Sequence, residues 1–484
     1  MLPFILYGSS GENFAAEADY IMSAFGLSGQ PWDGTVRVPE HFRPAAPEET
    51  WPSDVSTDPV DRFMHSIGKS SVEILMARNG HRIGRVDAVF RPRYGDLPAL
   101  LERLHASGSR ATVFGGGTSV TGALIPGQRR FVIDTSNLRG ISVSKGRCTV
   151  GAGMRGPEIE GALNRENWTL GHFPESFMHS TAGGWVSTKA TGQESNQYGG
   201  IEDMVISATC VRSDGTVEGH EVPRESGPNG RWAQAIGSEG RFGVITTVTL
   251  RTHRLPRSRF YASRFFRSFE EGIGFLSSLD RFPTVARLSD TVETGISLAV
   301  AGDGALTSLA RRYLRFRGLG DPSMLVVVNN EMPAKLPDGG VSLGALPARK
   351  WEEGRFQRPG LANRLWMSGV VPDTLETSAD WDRLPGLYHG VREAFGNACS
   401  AEGIRGIIMA HVSHLYTSGA CMYFTFLLQG PLGVGQLVGV RNSVVRAFLR
   451  HGGSLTHHHG IGRLLLPFAK HAFDHIERDG VVGW

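Results

Sequence analysis

Phe114-Gly-Gly-Gly-Thr-Ser-Val-Thr-Gly-Ala-Leu124 is the stretch on which the fold of this chain turns. Three glycines follow the apolar run Ala111–Phe114, so the backbone can turn sharply and come close to whatever it faces. Successive N–H groups in such a turn form a concave anion site that fits a pyrophosphate. Thr118, Ser119 and Thr121 add hydroxyl donors. The stretch is not the fingerprint G-x-G-x-x-G, nor a P-loop, because no Gly-Lys-Ser/Thr closes it. Taken alone, it reads equally well as a structural turn.

Working outward, Asp87-Ala-Val-Phe-Arg91 reads as a strand, and Asp96 is placed to cap a helix carrying Pro98 in its first turn. That helix runs through Leu100, Leu101 and Leu104 and stops at Gly108. The next strand enters the triple glycine, so the region opens β-α-β. Strands follow at Phe131–Asp134, Cys148–Val150 and Met204–Arg212, with a helix from Gly156 to Glu166. Asp214-Gly215 marks a hairpin turn, and Gly243–Leu250 is a strong strand. Residues 1–81 read as an irregular leader with one or two helices, and residues 82–257 as a coherent α+β unit. Residues 258–430 form a second domain, and 431–484 a C-terminal segment with a helix from Gly435 to Arg450.

The 484 residues are 40% hydrophobic, enough for a large core, and Lys plus Arg (50) nearly balances Asp plus Glu (47). With a formal charge of +3 and no basic run, nucleic acid is not an expected partner. Cys148, Cys210, Cys399 and Cys421 form no C-x-x-C pair and are too sparse for a disulfide framework, which fits a reducing compartment. No apolar run reaches membrane-spanning length, and Met1–Leu6 lacks a basic leader, so a cytoplasmic protein without a transmembrane segment is expected.

Further segments carry candidate chemistry. Pro174-Glu-Ser-Phe-Met-His-Ser-Thr-Ala-Gly-Gly-Trp185 is dense in hydroxyls and small residues, and Thr188-Lys-Ala-Thr-Gly192 and Gly199-Gly-Ile-Glu-Asp203 continue it. Gly237-Ser-Glu-Gly-Arg-Phe-Gly-Val-Ile245 is a turn entering a strand. His457-His458-His459 would place His457 and His459 on one face of an extended chain and His458 on the other. No carboxylate or thiol sits at ligand spacing around them, so no metal is expected; a histidine pair flanking a redox cofactor, as base and charge stabiliser, is the sharper reading. Without context, Tyr423 reads as a half-buried strand tyrosine and Arg287 as a surface or ion-pair arginine.

Together these segments resemble the FAD-binding superfamily of vanillyl-alcohol oxidase, in the branch of alkyldihydroxyacetonephosphate synthase and its bacterial flavoprotein relatives. The resemblance runs from about Arg82 to Arg463. It rests on Gly-Gly-Gly-Thr-Ser-Val-Thr-Gly (115–122), His172-Phe-Pro-Glu-Ser, the run 180–188, Tyr198-Gly-Gly-Ile-Glu-Asp203, Gly-Ser-Glu-Gly (237–240) and His-His-His-Gly-Ile-Gly (457–462). The triple histidine separates this branch from D-lactate and glycolate dehydrogenases, which usually show Glu-His-Gly there. The resemblance implies an α+β fold: a two-lobed PCMH-type FAD-binding domain, then an antiparallel-sheet cap over the flavin. It implies that Gly115, Gly116, Gly117, Thr118, Ser119 and Val120 hold the pyrophosphate. Glu175, Ser176, Ser180, Thr181, Gly184, Trp185 and Thr188, with Glu239, Gly240, Val244 and Ile245, line the rest. No histidine of the flavin-linking kind lies beside the triple glycine, so FAD is expected to be non-covalent. By position, Tyr423 and His459 match the family's catalytic tyrosine and histidine, with His457 and His458 beside them. His172 and Arg287 match active-site positions, and Glu175 replaces the usual aspartate.

Two departures bear on the reaction. Ala362 stands where the family carries an arginine in Tyr-Leu-Arg-Asp, and Arg364 could substitute only with a shift of register. The family's closing Asp-Pro-x-x-Ile-Leu-Asn-Pro-Gly-Lys-like segment has no counterpart. The leading expectation is therefore an FAD-dependent oxidoreductase acting on a small polar substrate. The alternatives are an alkyldihydroxyacetonephosphate synthase, a D-2-hydroxyacid dehydrogenase, and an inactive FAD-binding scaffold. Because family members are often dimers, a homodimer is an expectation as well.

Overall fold

Leu97, Leu100, Leu101 and Leu104 recur at helical spacing, and the helix Leu97–Ala106 buries all four against Phe90 and Ile133. Asp96 sits at its N-cap, but the carboxylate accepts from the Arg93 N–H (3.2 Å) and makes no cap bond to the helix. The strands on either side, Ala88–Arg91 and Ala111–Phe114, do not touch. Phe131–Asp134 lies between them, parallel to both. The fourth strand of this sheet, Asp54–Ser56, comes from the stretch that reads as leader. It is three residues long and too short to show alternation. Helices Pro59–Met64 and Ser71–Arg78 follow it, the second held by a Ser70–Glu73 capping box. The computed structural model describes residues 2–3, 11–42, 51–81, 83–126, 131–219, 231–300 and 305–472.

The second lobe is a five-stranded antiparallel sheet in the order 217–218, 205–211, 244–251, 147–151, 141–144. Helices Gly156–Asn164 and Ala182–Thr188 cover it through Ile159, Leu163, Trp185 and Val186. The cap is a seven-stranded antiparallel sheet in the order 341–342, 259–266, 323–330, 285–289, 406–415, 419–429, 370–380. One face carries the helices Phe269–Ser277, Leu384–Ala401 and Val434–Arg450. The other faces the two lobes. The period of two sorts the residues: Met422, Phe424, Phe426 and Leu428 enter the core, while Tyr423, Thr425 and Leu427 line a cavity.

After the helix Val434–Arg450 the chain turns at Gly452 (φ 76°), crosses between cap and lobes, and enters the helix Gly462–Ala472. The expected C-terminal segment beyond residue 472 lies outside the described residues. Among the described residues, no helix is long and apolar enough to cross a membrane.

Candidate active site

One cavity of about 870 Å³ runs between the lobes and the cap. Its near wall is the glycine loop. A Cβ on Gly116 would lie 2.2 Å from the His179 carbonyl oxygen, and one on Gly115 would lie 2.4 Å from Thr181 Oγ1. Only glycine lets this loop lie flat on residues 179–181; Gly117, at φ 67°, adds the left-handed turn. Among the described residues, the N–H groups of Gly116 to Val120 donate to nothing in the protein, although these residues line the cavity. A row of unpaired N–H groups facing a cavity suits a pyrophosphate, so these residues fit the dinucleotide part of FAD.

Glu175, Ser176, Ser180, Thr181, Gly184, Trp185, Thr188, Gly240 and Ile245 line the same cavity. Val244 does not. It precedes Ile245 on a strand, points to the opposite face and packs with Leu100 and Ile133. Glu239 lines the cavity, and its carboxylate also accepts from the N–H groups of Ile461 (2.6 Å) and Gly462 (2.9 Å). It thereby clasps the N-terminus of the last described helix, where a negative charge is favoured. His172 requires a correction. It is fully buried behind Trp185 (rings 4.8 Å apart), both ring nitrogens lack partners among the described residues, and it does not line the cavity. Burial lowers its pKa to about 3, so it is a neutral packing ring.

On the cap side, Tyr423 and Arg287 both line the cavity, linked by a residue the sequence reading missed. His411 stacks on Tyr423 at 5.0 Å. Its Nε2 lies 3.0 Å from an Arg287 guanidinium nitrogen, and its Nδ1 lies 3.2 Å from a Glu293 oxygen. Arginine can only donate, so Nε2 accepts and the proton sits on Nδ1, donated to Glu293. Burial, reinforced by the Arg287 charge, lowers the His411 pKa to about 4 and keeps the ring neutral. Burial alone would raise Glu293, but Arg287, His411 and Arg358 overcome it and hold the carboxyl well below its usual range. Glu293 pairs with Arg287 at 2.5 Å and with Arg358 at 3.2 Å.

Arg358 bears on the question left open at Ala362. Ala362 lines the cavity, but Arg364 does not. Arg358 does, four residues before Ala362 and so on the same face of the helix Arg358–Met367. Lys350 lines the cavity as well.

The histidine tract is bent rather than extended. The cause is Glu376, which is buried and sits opposite Tyr423 in the sheet register. It accepts from the N–H groups of His457 (2.6 Å), His458 (3.1 Å) and His459 (3.2 Å) and from Thr456 Oγ1 (2.7 Å). Three N–H groups converging on one carboxylate fold the tract. His458 and His459 therefore share the cavity wall, while His457 turns outward to Tyr416 (2.8 Å), reversing the expected pairing. Burial holds His457 and His459 below the usual histidine pKa and His458 well below it. Contrary to the sequence expectation, a carboxylate and a thiol do approach these histidines: ligand atoms of Glu376, Cys421, His457 and His458 lie within 4.8 Å of one another. The Glu376 oxygens are occupied by those four donors, and His457 Nδ1 and His458 Nδ1 by each other at 2.9 Å. The cluster is built as a hydrogen-bonded latch.

Comparison with known proteins agrees with this geometry. A family described as FAD binding domain matches residues 86–219, and one described as FAD linked oxidases, C-terminal domain, matches residues 255–477. The alkyldihydroxyacetonephosphate synthase of Trypanosoma brucei brucei is 30% identical over 453 residues, covering 86% of this chain and 73% of that protein. The synthase of Dictyostelium discoideum is 28% identical over 449 residues, covering 86% and 74%. A D-lactate dehydrogenase of Archaeoglobus fulgidus is 26% identical over 191 residues, covering 38% and 43%. A solved alkyldihydroxyacetonephosphate synthase structure superposes with a TM-score of 0.76 at 25% identity, covering 90% of this chain and 86% of that one. With a glycine-rich anion cradle on one wall, and a tyrosine and paired histidines on the other, the chain belongs to the PCMH-type FAD-binding enzymes, in the branch that holds the alkyldihydroxyacetonephosphate synthases.

Proposed function

We propose that the protein is a synthase of the alkyldihydroxyacetonephosphate type. In this reaction the acyl chain of an acyl dihydroxyacetone phosphate leaves as fatty acid and a fatty alcohol takes its place, without net redox change. One observation carries the reading: the lining of the cavity. Ile21, Ile296, Leu361, Leu365 and Leu427, which pack as one apolar cluster, line it together with Met324 and give it an apolar chamber. Beside that chamber stand Arg287, Arg358 and Lys350. A long-chain amphiphile with an anionic head matches both halves, whereas a small hydroxy acid has no use for the chamber.

The residues divide the work. Arg287 and Arg358 hold the phosphate, Arg358 taking over from the arginine lost at Ala362. The chamber holds the chain. Tyr423 and His459 remove a proton from the substrate carbon and return it, as a positioned acid–base pair. The flavin ring, when bound, supplies the covalent chemistry at that carbon.

The oxidoreductase reading keeps one supporting observation, the alanine at 362, and remains the alternative. Anaerobic visible absorbance separates the two. The synthase reading expects palmitoyl dihydroxyacetone phosphate to perturb the flavin band and hexadecanol to restore it. Lasting bleaching by a hydroxy acid, alcohol or amine would instead establish net oxidation. Tyr423→Phe and His459→Ala should each lower turnover by about 10²–10⁴-fold while the purified protein stays yellow. Full turnover in both variants would remove them from the chemistry.

A further inference from the structure

A base that holds a substrate proton in this cavity can exchange it with solvent if a hydrogen-bonded route connects the two, and the latch around the histidine tract offers one. His458 lines the cavity; its ring lies 4.3 Å from that of His459 and stacks on Tyr423 at 6.2 Å. Its Nδ1 lies 2.9 Å from His457 Nδ1, and His457 Nε2 lies 2.8 Å from the Tyr416 hydroxyl. The Tyr416 side of the chain is at the surface, the residue being 42% exposed. We infer that Tyr416, His457 and His458 form a proton path between solvent and the reacting centre.

The hydrogen bonds admit two consistent orders. In one, His458 Nδ1–H donates to His457 Nδ1, His457 Nε2–H donates to the Tyr416 oxygen, and Tyr416 donates to water. In the other every donor points inward: Tyr416 O–H to His457 Nε2, then His457 Nδ1–H to His458 Nδ1. A single passage converts the first into the second. A proton arrives at His458 Nε2 from the cavity base, and each ring passes its far proton outward. Tyr416 releases one proton to water and receives another from His457. No charge or electron is left over. The second order carries a proton back by the same steps, as a reaction that removes a proton and later restores it requires.

The surroundings keep the chain neutral and therefore able to both donate and accept. His414 stacks on His457 at 5.5 Å and bonds Ser195 through Nδ1 (2.8 Å). His411, His414 and His459 face His458, and the Lys189 charge acts on His457 against protonation. Glu376 favours the charged form of His457 but is bound to backbone N–H groups. Cys421, Glu202 and Asp203 face Tyr416. Tyr416 and His457 act through His458 and are positioning residues.

The inference rests on the cavity being a site of proton-transfer chemistry, and its test has an arm that needs no substrate. In ¹⁵N-histidine spectra of the FAD-loaded protein, Tyr416→Phe should move the ring nitrogens of both His457 and His458, because one hydroxyl sets the order of the whole chain. A change confined to His457, or none, overturns the path. With palmitoyl dihydroxyacetone phosphate, Tyr416→Phe and His457→Gln should lower turnover about tenfold or more, with the rate then rising with imidazole concentration as small acids and bases replace the path. A loss without imidazole dependence is structural and also overturns it. If the unaltered protein gives no turnover with this substrate, the synthase reading fails, and the nitrogen spectra alone decide the path.

Discussion

His172 and His411 are both buried neutral rings, yet only His411 lines the cavity. His411 has a donor on one nitrogen and an acceptor on the other, and it reaches Tyr423. His172 has neither, and its cost appears as acid sensitivity. Its folded pKa of about 3 lies below the 6.5 of an unfolded histidine, so below pH 6.5 the unfolded chain binds the extra proton. Stability from this site is present above pH 6.5 and is lost as pH falls toward 3, at up to about 1.4 kcal/mol per pH unit. His172→Phe should therefore flatten the fall of urea stability between pH 6 and 4 by about that slope. An unchanged slope would show that the ring is already protonated or solvated. At this scale the sequence was legible where residues sit in motifs, as with Tyr423, His459 and the glycines. Position in a motif did not reveal burial, which is why His172 was misread. His411 carries no motif at all: its signal is its place opposite Tyr423 in the strand register, which exists only once the sheet is known.

The strands and the glycine loop show what could be read at the scale of elements. The β-α-β opening and the hairpin at Asp214-Gly215 follow from apolar spacing and turn residues, and they are present. The short strand Asp54–Ser56 was hidden because its pairing partner, not its own pattern, makes it a strand. The histidine tract was misread for a related reason. Local alternation holds for an extended chain, but a glutamate about eighty residues upstream bends this one. Glu376→Ala would leave backbone N–H groups of His457, His458 and His459 without their acceptor, at about 1–3 kcal/mol for each that stays buried. The expected outcome is a lower melting temperature and a large loss of turnover with flavin still bound, since no residue of the glycine loop is touched. Apoprotein on purification would instead mean that the latch helps to hold the cofactor.

The cavity is a property of the whole molecule. Its walls come from the N-terminal helix Ala15–Phe25, both flavin lobes, the cap sheet and the C-terminal histidines. No local pattern announces that Ile21 and Leu427 line one chamber, so the substrate class was the least legible feature, and the preference for a small polar substrate came from two motif departures rather than from the cavity. Leu361→Trp should shorten the chain the enzyme accepts: palmitoyl substrate should lose activity by tenfold or more, and a six-carbon analogue should keep it. Equal loss for both would place the chain elsewhere. The closing of that chamber also sets an order in time. Helix Ala15–Phe25 is made early, yet its partners include Met409 and Leu427, and Arg405 bonds the Gly26 carbonyl across 379 positions. At about 5–20 residues per second, a ribosome takes tens of seconds to bridge that gap. Until then helix Ala15–Phe25 keeps the apolar stripe that carries Ala18 and Ile21 uncovered.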